Sequence, residues 1–296
     1  IRSGEFERME KKLSHPGWKP YYGPNKQDPS AGVSAIGARN FLIAYNINLN
    51  MQDKQIGTDI ALDIREQGRN KRDKKGKFVR DKDGIPIKVP GILKNCKAVG
   101  WYIDEYKLAQ VSMNLTDFDF TPPHVAFEET RKQSRQRGVR VSGSELVGLI
   151  PLDAMIAAGK YYLKQQHRST GIPTNDIIYI AIKSMGLDDL EPFDPMRKII
   201  EYRIKDLYGP LVSNTVHEFA DNVSSDSPAP GGGSVSALAG TLAASLTAMV
   251  ANLTIGKKKW IPVYDQMCHI SEKAQSLKED LLNLIDADTE AFNHVL

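Results

Sequence analysis

The chain runs to 296 residues, of which 41% are hydrophobic and 25% charged, with a formal net charge of +3. Such a composition excludes a disordered or fibrous chain and leaves room for two ordinary domains or one large one. Its two cysteines, Cys96 and Cys268, lie far apart without CxxC or Cys/His ligand spacing. Neither a disulfide framework nor a metal site is therefore expected, and a reducing, cytoplasmic setting fits best. The first ten residues carry no charged segment followed by an apolar core, which argues against a secretory signal, and the absence of an initial Met leaves truncation open.

In chain order, residues 41–49 (FLIAYNINL) read as a buried strand, and residues 53–68 as a helix with Ile56, Ile60 and Ile64 on one face and Gly68 as its stop. The basic stretch that follows is long for a connection inside a compact sandwich: residues 68–97 hold eleven Lys/Arg against three Asp. RDKDGIPIKV within it suggests a small hairpin turning at Asp83-Gly84. It is either a solvated surface insertion or a landing site for a polyanion. Residues 98–103 and 108–115 are expected as strands joined by the polar turn DEYK. The second alternates Ala109, Val111, Met113 and Leu115 with Gln110, Ser112 and Asn114. Thr121 with Pro122 and Pro123 starts a helix running to Gly138, and residues 139–150 return as a strand. The order β-α-β-β-α-β fits an α+β, ferredoxin-like sandwich with two helices on one face of a four-stranded antiparallel sheet. Residues 151–166 add a helix, residues 174–185 another, capped by Thr174 and stopped at Gly186, and residues 199–204 (IIEYRI) look strand-like. Trp101 and Tyr102, on an alternating strand, are expected mainly in the core.

Beyond the sequence KDLYGP (residues 205–210) the strand signals vanish and helical segments dominate, over 212–223, 235–255 and 261–296. Gly209 and Pro210 supply a boundary, and the second domain is expected to be all-α. Its charge is opposite: residues 211–296 hold five Lys against ten acids. Residues 228–256 contain no charge and are long enough to cross a bilayer. They are rich in Ala, Ser, Thr and Gly rather than large apolar side chains, so a close-packed buried helix is expected instead of a span.

Several stretches carry a specific resemblance. WKPYYGPNKQDPSAGVSAIGARNFLIAYNINL (residues 18–49), REQGR (65–69), GWYIDEYKLAQVSMNLTDF (100–118), ELVGLIPLDA (145–154) and IIEY (199–202) are similar to glutamate formimidoyltransferase modules. SPAPGGGSVSALAGTLAASLTAMVANLTIGKKKW (residues 227–260) and LIDADTEAF (284–292) resemble the start of a cyclodeaminase module. In this order they resemble the family in which formimidoyltransferase is fused to formimidoyltetrahydrofolate cyclodeaminase. The resemblance implies an internal fragment with neither module complete. Residues 1–49 would be the end of the first formimidoyltransferase subdomain with its crossing strand, 50–205 the second subdomain, 206–212 a linker, and 213–296 the N-terminal part of an all-α, cyclodeaminase-type domain. It implies two reactions of histidine degradation in the parent protein. One transfers a formimidoyl group from N-formimidoyl-L-glutamate to tetrahydrofolate; the other cyclises the product to 5,10-methenyltetrahydrofolate with loss of ammonia.

Formimidoyl transfer needs a base and charge-stabilising donors. The family's base is a histidine in the first subdomain, and none of the six histidines here falls in that motif, so this chain alone is expected to be inactive. The resemblance places folate on Gly32, Val33, Ser34, Ala35, Ile36, Gly37, Ala38, Arg39, Asn40, Phe41 and Leu42. There the glycines permit close approach, amides meet pterin or carboxylate oxygens, and Arg39 offers a fork for a carboxylate. Arg69, ending the helix before the basic stretch with Arg65, is a further ligand candidate. In the second module Gly231, Gly232, Gly233 and Ser234 precede the long helix, and their amides suit an anionic or polar ligand. Asp286, Asp288 and Glu290 share a helix. The resemblance puts the cyclodeaminase carboxylate there, with Asp288 preferred and Asp286 next. The implied ligands are N-formimidoyl-L-glutamate and a polyglutamylated tetrahydrofolate, whose tail the basic stretch would hold. The implied assembly is a homo-oligomer without metal, nucleic acid or membrane. The alternatives are a single-activity folate enzyme and a basic nucleic-acid-binding module.

Overall fold

A computed structural model describes residues 9–34, 36–38, 40–204 and 208–295. The chain forms two compact units, residues 1–40 and residues 41–296. In the first, a short helix α1 (Met9–Leu13) precedes a 3-10 turn (Pro16–Trp18), and His15 caps that turn by accepting the Gly17 N–H at 3.2 Å. Further on, Asp28 Oδ1 accepts the N–H groups of Ser30 (2.8 Å) and Ala31 (2.7 Å). The tight turn so formed closes at Gly32, whose φ of +73° is one that a side chain would oppose.

The second unit begins with β1 (Ile43–Leu49), followed by α2 (Lys54–Ile64), the short strands β2 (Arg69–Asn70) and β3 (Lys88–Val89), β4 (Cys96–Ile103) and β5 (Leu108–Leu115). Then come α3 (Pro123–Gln136), β6 (Val141–Val147), α4 (Leu152–Gln165) and α5 (Thr174–Met185). The main sheet has the order β4-β5-β1-β6 with every neighbouring pair antiparallel, so β1 lies inside it although it comes first. Strand periodicity then assigns each residue a side. Ile43, Tyr45, Ile47 and Leu49 turn toward α2 and α3, where they meet Val111, Met113, Leu115, Ile60 and Ile64, all essentially buried. The helices α4 and α5 extend this core with Met155, Ile178 and Met185. Each such side chain contributes roughly 1.5–3 kcal/mol by leaving water.

Several expectations are corrected. Residues 199–204 are not a strand. Ile199 makes one parallel bridge to Ile150, and α6 (Pro195–Lys198) and α7 (Ile200–Ile204) flank it. Asp194 starts that helical pair by accepting the Met196 N–H, and Glu201 accepts the Leu152 N–H at the start of α4 (2.8 Å). A short apolar run fits either period. Helix α5 begins after Pro173, so Thr174 is its first residue rather than its cap, while Gly186 does end it at φ +57°. Thr121 does not cap α3 either; its hydroxyl donates to the Lys94 carbonyl at 2.6 Å. Helix α2 stops at Ile64, four residues before Gly68. Trp101 is 41% exposed, outside the core, because its register places it on the face turned away from α2.

The basic stretch is an eight-residue tandem repeat, RDKKGKFV (72–79) and RDKDGIPI (80–87), that sequence reading reduced to one hairpin. Asp73 Oδ1 accepts the N–H groups of Lys75 and Lys77, and Asp81 Oδ1 those of Asp83 and Ile85. Arg72 and Arg80 donate to the carbonyls of Gly76 and Gly84, each glycine at positive φ. Three backbone bonds link the equivalent positions in a ring: Lys71 N–H to Ile87, Ile87 N–H to Val79, Val79 N–H to Lys71. The carboxylates are thus engaged internally, and the lysines face solvent.

The helical part comprises α8 (Val216–Val223), α9 (Gly232–Thr254), a 3-10 turn (Lys258–Val263) and α10 (Tyr264–Asn293). Thr215 and Glu218 form a reciprocal capping box on α8. Helices α9 and α10 pack along each other through small residues, Ala237, Thr241, Ala248 and Ala251 against Ser271, Ala274 and Ile285. Burial on all sides was expected of α9 and is not found. Leu242, Leu246, Val250 and Leu253 are each more than half exposed. By length and composition α9 is apolar enough to cross a membrane. The α4–α5 loop is clasped by this hairpin: Ser169 Oγ bonds Asn252 (2.6 Å) and Ser271 (3.1 Å), and Asn252 Nδ2 donates to the Gly171 carbonyl (3.0 Å). A Cβ at Gly171 would lie 2.2 Å from Ser271 Oγ.

Candidate functional site

Two of the residue groups singled out in the sequence meet at the start of α9. The turns of α10 bring Asp288 beside Gly233 and Ser234: Asp288 Oδ2 accepts the Ser234 N–H at 3.0 Å and lies 3.3 Å from Ser234 Oγ. Ser234 is fully buried, its hydroxyl donating to the Ile285 carbonyl at 2.7 Å and lying 3.2 Å from Thr289 Oγ1. Asp288 itself is exposed. Gly233 explains its own identity, since a Cβ there would stand 2.1 Å from Asp288 Oδ1. An aspartate on the first amides of a helix is oriented by the N–H and favoured by the helix dipole.

This changes the reading of the glycines. Gly232, Gly233 and Ser234 are the first residues of α9, not a loop before it; Gly231 is its cap. The amide of Ser234, suited to an anionic ligand on paper, is engaged by Asp288, so the turn fixes a carboxylate there. Asp286 takes a different part. Its two oxygens accept the N–H groups of Leu211 (2.7 Å) and Val212 (3.2 Å), and it is buried. It clamps the segment leading into α8, and Gly209 leaves it the space. Helical spacing separates the two roles: residues 286 and 288 lie about 200° apart around the axis.

In the segment resembling a folate site, Ala35 and Arg39 lie outside the described residues. Gly32 is set by the Asp28 turn, whose two N–H donors hold the Asp28 carboxyl below the usual carboxylate range. Val33, Ser34, Ile36, Gly37, Ala38 and Asn40 are exposed, as is Phe41, while Leu42 is half-buried at the entry to β1. Arg69 is not at a helix end but in β2. Its guanidinium pairs with Asp63 (2.6 Å) and reaches the Asp59 carbonyl (2.9 Å). Arg65 donates to the Gly68 carbonyl (2.9 Å).

Sequence reading missed a polar network on the sheet face turned away from α2 and α3. Gln110, fully buried, donates to Asn48 Oδ1 (2.8 Å) and Glu145 Oε2 (3.2 Å) and accepts the Trp101 indole N–H (2.9 Å). Asn46 also donates to Glu145 Oε2 (3.2 Å), and Asn48 donates to Asp189 (3.0 Å). The signal was legible as the polar half of the alternation, Asn46 and Asn48 against Gln110. A solvated face, however, has the same pattern as a buried network.

Comparison with known proteins follows the same division. A family model described as formiminotransferase domain matches residues 44–205, and one described as formiminotransferase-cyclodeaminase matches residues 215–296. The formimidoyltransferase-cyclodeaminase of Dictyostelium discoideum is 41% identical over 99% of this chain and 52% of its own length. The glutamate formimidoyltransferase of Streptococcus pyogenes serotype M1 is 37% identical over 55% of the chain and 48% of its own length. The methenyltetrahydrofolate cyclohydrolase of Methylorubrum extorquens is 40% identical over 28% of the chain and 40% of its own length. The chain spans about half the length of the fused relatives it matches. With a matching model over more than half of its residues, the chain belongs to the formiminotransferase-domain family.

Proposed function

We propose that this chain is part of a bifunctional folate enzyme. Residues up to about 205 would serve formimidoyl transfer from N-formimidoyl-L-glutamate to tetrahydrofolate, and the helical part would serve cyclodeamination of the product to 5,10-methenyltetrahydrofolate and ammonia. The observation that carries the reading is Asp288 held on Ser234 beside Gly233, within the segment that matches the cyclodeaminase-bearing model. Ring closure joins a folate nitrogen to the formimidoyl carbon and breaks the bond to the departing amine, so a proton must pass from one nitrogen to the other. A single exposed carboxylate, oriented through Oδ2 with Oδ1 turned to the Gly233 gap, suits that transfer. The strand order β4-β5-β1-β6 supports reading the sheet as a ferredoxin-like second transferase subdomain. The exposed lysines of the tandem repeat suit the anionic tail of a polyglutamylated folate. Tail-dependent affinity should then fall with added salt, and a salt-independent affinity would remove the idea.

The test is Asp288→Asn in the enzyme read over its full length, with tetrahydrofolate and N-formimidoyl-L-glutamate supplied. Formimidoyl transfer should continue while formation of 5,10-methenyltetrahydrofolate, followed by its absorbance, falls at least a hundredfold, the scale of a lost acid–base group. Undiminished ring closure would reject Asp288 and the reading built on it.

A further inference from the structure

The turn of α10 that presents Asp288 is gripped from two sides. At the start of α9, Ser234 donates its hydroxyl to the Ile285 carbonyl and its N–H to Asp288, and its Oγ lies 3.2 Å from Thr289 Oγ1. Asp286 instead accepts the N–H groups of Leu211 and Val212, in the connection that leaves the α/β domain for α8. Around the helix axis Asp286 and Asp288 point nearly opposite ways, so the two grips oppose one another. Apolar packing alone does not hold this end of α10. Among the described residues, those buried after Ala274 are Ile285 and Asp286, whereas Leu284 and Phe292 are 52% and 40% exposed. A helix end with so few buried apolar contacts opens easily unless polar bonds fix it. Asp286 suits that task, because a carboxylate 8% exposed persists only with donors on it. Gly209 makes the room: a Cβ there would stand 2.3 Å from both Cγ and Oδ2 of Asp286. The Gly209 carbonyl in turn accepts the N–H (3.1 Å) and the hydroxyl (2.9 Å) of Ser213, so the connection is a closed turn rather than a slack tether.

We infer that this connection is a working part of the ring-closure site: Asp286, seated on Leu211 and Val212 in the space left by Gly209, fixes the rotation of the last turns of α10 and so positions Asp288 on Ser234. Asp286 and Gly209 are positioning residues that act through Asp288. The inference rests on the reading of Asp288 as the proton-transferring carboxylate for its catalytic consequence, but not for its geometry. It also makes the path from the α/β domain into α8 a physical link between the two modules, since a displacement of residues 209–212 reaches Asp288 within one helical turn.

Two variants test it. Asp286→Asn keeps the size but turns an NH2 group toward one of the two N–H donors, and Gly209→Ala keeps every bonding group but fills the space. In this chain the readout is hydrogen exchange at the Ser234 amide, whose acceptor is Asp288, with the Ala248 amide in the middle of α9 as reference. Both variants should speed exchange at Ser234 by about tenfold or more and leave Ala248 unchanged, as a local opening does. In the full-length enzyme supplied with 5-formimidoyltetrahydrofolate, kcat for ring closure should fall about ten- to a hundredfold, the scale of a catalytic group misplaced by about an ångström. KM should stay within about twofold and formimidoyl transfer should not change, because only the placement of Asp288 is disturbed. In an Asp288→Asn background, Asp286→Asn should cost ring closure nothing further. Unchanged Ser234 exchange in both variants overturns the inference, even if ring closure falls. So does equal acceleration at Ser234 and Ala248, which would mean that the hairpin has merely loosened. Ring closure that survives Asp288→Asn rejects the reading of Asp288, and the exchange measurement then still decides whether Asp286 positions it.

Discussion

The α/β domain and the α9–α10 hairpin are comparably apolar in sequence, yet they place their large side chains oppositely. In the former, Ile43, Ile47, Leu49, Ile60 and Met155 are fully buried between sheet and helices. In the latter, alanines and hydroxyl residues fill the contact, and Leu242, Leu246, Val250 and Leu253 point outward. A sheet with helices on one face encloses volume that large residues must fill. Two helices alone share only one seam, and small residues let that seam close. The hairpin is therefore fixed by polar links: Ser234 to Ile285, Asp286 to residues 211 and 212, and the clasp around Gly171. Local hydrophobicity measures what a segment can bury, whereas the number of its neighbours decides what it does bury.

The comparison is tested most strongly by truncation on each side. Ile47→Ala should cost about 4 kcal/mol in chemical denaturation, as deletion from a closed core does. Leu246→Ala, on the exposed side of α9, should cost under about 0.5 kcal/mol. Equal losses would mean that α9 is covered in solution. A smaller effect addresses the joint between the regions. Gly171→Ala forces a Cβ against Ser271 and should lower the stability of the helical hairpin by about 1–3 kcal/mol. Unfolding monitored at Trp260, beside α10, should then precede unfolding monitored at Trp101; coincident transitions would show that the clasp does not couple them.

A further effect is a pH dependence confined to the α/β domain. His124 is buried in the first turn of α3, stacked on Tyr161 at 4.7 Å, with Nδ1 unpartnered among the described residues. Burial pushes its pKa down to about 4 from an ordinary 6.5. The unfolded chain thus binds a proton between those values that the folded chain refuses, and stability falls as pH drops from 6.5 toward 4. The loss should be up to about 3 kcal/mol by pH 4, and His124→Phe should remove that part of the slope. An unchanged profile in the variant would assign the acid sensitivity to other groups.

Much of this was written locally. The alternation in residues 108–115 gave a strand at its observed bounds, and the apolar spacing of Ile56, Ile60 and Ile64 gave a helix that ends four residues earlier than expected. The polar turn between β4 and β5 gave their pairing. The failures have a common cause. Thr174 and Thr121 are good caps by type, but a cap is chosen by where the chain enters the helix, and Pro173 and Pro122 enter first. Residues 199–204 read as a strand by type, but only Ile199 finds a strand partner, Ile150, and the rest coil into α7. The tandem repeat was present in the letters; only its ring of backbone bonds shows that the two copies form one module.

By itself the sequence determined the order of elements, the change from α/β to all-α near residue 205, and the motifs that mark the family, because these depend on periodicity and residue type along a short stretch. The tertiary structure alone decided that Asp288 lies on Ser234 while Asp286 clamps residues 211 and 212, that Gly171 is gripped by α9 and α10, and that Gln110 binds Trp101 to Glu145. Those are meetings of residues some 9 to 104 positions apart. No local pattern encodes them, since a carboxylate or an amide has the same propensity whichever partner the fold brings to it.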